Sequence, residues 1–119
     1  MQTANFLCDG LTPDWAEGVN CAVTICDADG VILYMNRRSR ETFASHGPLI
    51  GKNLFECHSP ESQAKIRHLL ATGESNAYTI EKNGLHKMIY QTPWRRDGQI
   101  AGLVELSMVI APTLPHHVR

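Results

Sequence analysis

The chain contains no Cys-x-x-Cys pair. Its four cysteines stand at positions 8, 21, 26 and 57. That spacing withdraws support from a zinc ribbon, a cysteine-held iron–sulfur cluster and a c-type haem attachment. Cys21 and Cys26 fall on what reads as one strand, at an odd separation that points them to opposite faces, so they are poor disulfide partners. Small buried hydrophobes is the simpler reading of the cysteines. Excess charge is also missing. The formal net charge is −1, which leaves no electrostatic footprint for nucleic acid. Arg37, Arg38 and Arg40 form a short basic run that reads as one solvated helix face. No apolar run approaches the ~20 residues of a spanning helix. The N-terminal MQTANFLCDG lacks the basic stretch and apolar core of a signal peptide. A cytoplasmic home without membrane contact is expected. No Gly-x-Ser-x-Gly, His-Glu-x-x-His, P-loop or dinucleotide fingerprint occurs, so no enzyme is expected. Asp27 and Asp29 look like a carboxylate pair, but a turn explains both.

What is present is an ordinary globular composition. With 119 residues, 43% hydrophobic and 19% charged, the chain is long enough for one domain with a single core. Thr12-Pro13-Asp14 reads as a helix start, with Thr12 as N-cap, leading a short helix to about Val19. Cys21–Cys26 and Val31–Met35 read as strands joined at Asp29-Gly30. Arg37–Ala44 reads as a helix that His46-Gly47-Pro48 breaks. A longer helix starts at the Ser59 cap with Pro60 in its first position, carries Ile66, Leu69 and Leu70 on one stripe, and stops at Gly73. Asn76–Lys82, Leu85–Trp94 and Gln99–Ile110 read as strands, turned at Asn83-Gly84 and Asp97-Gly98. The expected fold class is α+β, a five-stranded antiparallel sheet with helices over one face. The expected division is an N-terminal cap and helix over 1–20, one sheet-and-helix domain over 21–111 and a loose tail over 112–119.

This ordered set of parts resembles a PAS domain. The matching residues are Val23–Ile32 with Asn36 ahead of a helix, Leu49-Ile50-Gly51-Lys52-Asn53-Leu54, the helix from Ser59, and the closing strands Met88–Trp94 and Gln99–Ile110. Cys57-His58 ahead of Pro60 further resembles a bacterial subgroup with Cys-His-Pro at this place, here with Ser59 interposed. The resemblance implies a sensory and dimerisation module whose sheet cups a small cavity. It implies a homodimer and a separate effector, such as a kinase or a transcription regulator. A ligand-free interaction module is the alternative.

The cofactor question turns on a few side chains. Light-sensing relatives carry a reactive cysteine directly after Gly-x-Asn; here Leu54 follows Gly51-Lys52-Asn53, so flavin photochemistry is not expected. A b-type haem needs one histidine aimed into an apolar pocket. His68 falls opposite the Ile66–Leu69–Leu70 stripe, which leaves His58 as the candidate cofactor and metal ligand, should haem be bound. Cys57, just ahead of a helix N-terminus, is a candidate redox-sensing thiol. Met88, Tyr90 and Thr92 share one face of a strand and line the cavity if that face is the inner one. Glu105 is an unusual acid in an apolar strand, explained by an arginine partner or by exposure.

Overall fold

The computed structural model describes residues 13–119, apart from the side chain of Cys57. Its elements are α1 (Asp14–Gly18), β1 (Ala22–Asp27), β2 (Ile32–Met35), α2 (Arg37–Thr42), α3 (Pro60–Thr72), β3 (Asn76–Lys82), β4 (Leu85–Arg96) and β5 (Gln99–Ile110). Short 3-10 turns at Ala44–His46 and Leu54–Cys57 lie between α2 and α3. All five strands form one sheet in the order β2-β1-β5-β4-β3, and every neighbour is antiparallel. The α+β architecture expected from the sequence is the one observed. Among the described residues, no helix is long and apolar enough to cross a membrane.

Local chemistry explains the element ends. Ser59 Oγ accepts from the Ser62 amide, Pro60 fills the first helical position, and Gly73 closes α3 in the left-handed region at φ 81°. At the start of α1 the cap position is Pro13, without a side-chain bond, and the Thr12 cap expected from the sequence lies outside the described residues. Asn83 and Asp97 both take positive φ, as two-residue hairpins between twisted strands require. The register of β4 on β5 slips once, between Trp94 and Arg95. Two residues later on β5, a Cβ at Gly102 would meet the Cys26 carbonyl oxygen at 1.9 Å and the Trp94 indole nitrogen at 2.6 Å. The absent side chain lets the Trp94 Nε1–H donate to that carbonyl at 2.9 Å.

The core lies between the inner sheet face and the helices. It gathers Cys26, Ile32, Met35, Leu54, Ile66, Leu69 and Leu103, with Phe43, Leu49, Phe55 and Leu70 packed against it. Ile66 and Leu69 are fully buried, while His68 points out to bond Glu74. Asn36 is buried and ties four segments together. Its Oδ1 accepts from the Val23 and Ser39 amides, and its Nδ2 donates to the Ala16 and Cys21 carbonyls. The basic run is not merely solvated: Arg40 donates to the Glu17 carboxylate and to the Met35 carbonyl, which fastens α1 to α2 and β2.

Candidate functional site

A cavity of about 170 Å³ opens between the inner sheet face and the α2–α3 connection. Ile32, Met35, Phe43, Leu49 and Leu54 give it apolar walls, and Thr24, His46, His58 and Glu105 supply its polar groups. The sequence places these groups by strand alternation and by one set turn. Thr24 pairs across from Glu105 in the β1–β5 register, so both point inward. Gly51 takes φ 90° and lets the following residues return along β2. Asn53 then caps the 3-10 turn: its Oδ1 accepts from the Phe55 amide while its Nδ2 donates to the Asp29 carbonyl. The Leu54 amide donates to the Gly30 carbonyl at 2.7 Å, which pins that side chain in the core.

His58 is held at two levels. Gln63 Nε2 donates to the Phe55 and His58 carbonyls, fixing the backbone of the turn against α3. His58 Nδ1 lies 2.8 Å from the Leu54 carbonyl. A carbonyl only accepts, so Nδ1 carries the proton, and in the neutral ring Nε2 is left as the acceptor. Thr24 and Ser39 share a hydroxyl–hydroxyl bond of 2.7 Å, one wall further round.

Glu105 is neither paired with an arginine nor turned to open solvent. It is half-buried in the cavity wall, and Gln91 Nε2 donates to its Oε2 at 2.8 Å. Gln91 is buried, and its own oxygen accepts from Asn76 Nδ2 at 3.1 Å. A ladder of amides therefore runs from β3 across β4 to the carboxylate on β5. Tyr78, opposite Ile89 on the same face, has its phenol pushed up, first by burial and then by the Glu105 charge. Burial pushes the Cys26 thiol up to about 11, so this core cysteine is poorly nucleophilic.

Of the cofactor- and ligand-binding candidates named from the sequence, the cavity gathers only His58. Met88, Tyr90 and Thr92 do not line it. They pair with Met108, Leu106 and Val104, on the face opposite to Gln91 and Glu105. Both faces of β4 and β5 carry apolar residues, and the one that receives α3 is the Leu103–Glu105 face. The Cys57 side chain lies outside the described residues. Thr24, Gln91, Glu105 and His46 are the site residues that sequence reasoning did not assign to it. Glu105 carried a signal, an acid in an apolar strand. His46 carried none beyond its place in a helix-breaking Gly-Pro turn, and it is exposed in the structure.

A tetrapyrrole does not fit the site as it stands. Pockets for drug-sized ligands start at roughly 300 Å³, and a haem is larger than such ligands, against the 170 Å³ here. Leu54 is 7% exposed within the core, so no thiol faces a flavin at that position.

Comparisons with known proteins bear on the fold. A family model for the PAS fold matches residues 16–112. No curated protein matches the chain. Among solved structures, the C-terminal domain of a Streptococcus mutans protein aligns with TM-score 0.67 at 19% identity, covering 82% of this chain and 81% of that one. The Vibrio cholerae VqmA dimer, described in connection with DNA binding by LuxR-type receptors, aligns at 0.64 and 23% identity, covering 82% of this chain and 49% of VqmA. The PAS domain of the histidine kinase ThkA aligns at 0.62 and 16% identity, covering 74% and 97%.

Proposed function

This chain belongs to the PAS fold family, and from that membership we propose that it is a non-enzymatic cytoplasmic sensory module that takes a small ligand in its inner cavity. The observation that carries this reading is the cavity itself. It is apolar over most of its wall, yet it holds the Glu105 carboxylate and the His58 ring on pre-arranged hydrogen bonds. Apolar walls with a few convergent polar groups are the usual make-up of a small-molecule site.

The output side of the reading is the outer sheet face. Met88, Tyr90, Val104, Leu106, Met108 and Ile110 lie together there by register, and Tyr90 is 37% exposed. A homodimer through this face, coupled to a separate kinase or transcription regulator, is the arrangement proposed. The fold neighbours include a histidine-kinase PAS domain and the VqmA dimer, which makes such effectors reasonable partners.

A second reading is a ligand-free interaction module, favoured by the modest cavity and the broad apolar outer face. Native mass spectrometry of the chain purified from its own cells separates the two. A small adduct that is released on denaturation supports the sensory reading. A bare mass, together with no uptake of any small aromatic from solution, leaves the interaction module.

A further inference from the structure

We propose that the inner cavity is built for a one-ring ligand that presents a cationic, hydrogen-bond-donating head to Glu105. The inference rests on the cavity being the sensory site and adds the chemistry of what enters it.

Size sets the first limit. A cavity of about 150 Å³ with apolar walls accommodates a benzene ring, and this one measures about 170 Å³. That leaves room for a ring and one small substituent. Ile32, Met35, Leu49 and Leu54 suit the ring, since they offer no hydrogen bonds. The substituent must then answer the polar end.

At that end stands a carboxylate with a single donor. Glu105 accepts from Gln91. Among the described residues, the ion pairs engage Glu17, Glu41, Glu74 and Glu81, and none engages Glu105. The Gln91 amide is not free to turn. Its oxygen is taken by Asn76 Nδ2, so its NH₂ is committed to Glu105. The ladder thus anchors one carboxylate oxygen from the sheet side. A carboxylate oxygen has more than one lone pair, and an ionised donor meets it in a shorter, stronger bond than a neutral one. His58 Nε2 is a second acceptor in the wall, given the Nδ1–H bond to Leu54. Of the remaining polar groups of the wall, the Thr24 hydroxyl is engaged with Ser39 and His46 is exposed, so the half-buried Glu105 and His58 call for a donating head. An anionic head would face Glu105 across a low-dielectric gap and be repelled.

The test uses three probes on one ring: benzylamine, benzyl alcohol and benzoate, with toluene as the apolar reference. Each is titrated into the full chain at pH 8 and followed by the side-chain amide signals of Gln91 and the methyl signals of Leu49 and Leu54. Benzylamine should bind about tenfold tighter than benzyl alcohol, a difference of about 1.4 kcal/mol, and benzoate should not enter. Glu105→Gln keeps the bond from Gln91 and should erase the preference for benzylamine while leaving benzyl alcohol binding in place. Leu49→Phe, which fills the cavity, should weaken both. Benzoate binding as tightly as benzylamine, or benzylamine binding that ignores Glu105→Gln, overturns the proposal. Toluene and benzyl alcohol entering with no gain for benzylamine overturns the charge assignment alone. If none of the four reaches the cavity, the sensory-site reading fails and the proposal falls with it.

Discussion

Asn36 shows how much one residue can decide in this fold. It is fully buried, and all of its side-chain hydrogen-bonding atoms are engaged, two amides donating to it and two carbonyls accepting from it. Replacing it leaves buried backbone groups without partners, each worth about 1–3 kcal/mol. Asn36→Ala should lower stability by roughly 3 kcal/mol and the melting temperature by more than about 10 °C, read by chemical and thermal denaturation. Asn36→Asp should do little better, since it keeps the acceptors and sets a charge against the Ala16 and Cys21 carbonyls. The sequence marks Asn36 as the end of a strand before a helix, and that much is correct. Its role as a hub was not legible, because its partners lie up to 20 positions away. Glu105 is a similar case: its oddity is visible along β5, but its partner Gln91 appears only once the β4–β5 register is known. Alternation could not say which face of β4 is inner, because Ile89 and Tyr90 are equally plausible core residues. The packing of α3 decides it, and that is a long-range fact.

At the scale of elements, the strands, hairpins and α3 were readable because turn and cap residues state them locally. The 3-10 turn at Leu54–Cys57 was not, since it exists through the Asn53 cap and the Gln63 bridge rather than through periodicity. Pro93 inside β4 is tolerated because the β3 pairing ends at Asn76 and Gln91, so no ladder donor is needed on that side. The short α1 depends on tertiary bonds. Glu17 receives Arg40 and the Tyr34 hydroxyl, and the Arg40 bond is the main cause of a lowered Glu17 pKa. A carboxylate with a lowered folded pKa stabilises above its ordinary value, 4.5 here, and loses that contribution as pH falls through the folded value. The pair is exposed, so its worth is below about 1 kcal/mol and weakens with salt. Glu17→Gln should therefore lower the melting temperature slightly at pH 7. The gap to the parent should close as pH drops below 4.5, as a pH series of melting curves in low salt would record.

For the whole molecule, the two faces of the sheet differ in what they present. The inner face holds the cavity, and the outer face presents Tyr90 among half-buried aliphatic side chains. Tyr90→Glu should leave the melting temperature and the cavity signals nearly unchanged, because Tyr90 is an exposed residue. If the proposed homodimer forms with Tyr90 as a central anchor, the substitution should weaken self-association by about 100-fold or more, measured by sedimentation across a concentration series. An unchanged association constant would remove this face from the proposed interface. A five-residue helix has no stability of its own in water. It persists only while Asn36 and Arg40 are already in place to receive it. In the native ensemble α1 should therefore open at a fraction of the free energy needed to part the strands. An event at the N-terminal end can be switched many times while the sheet never comes apart.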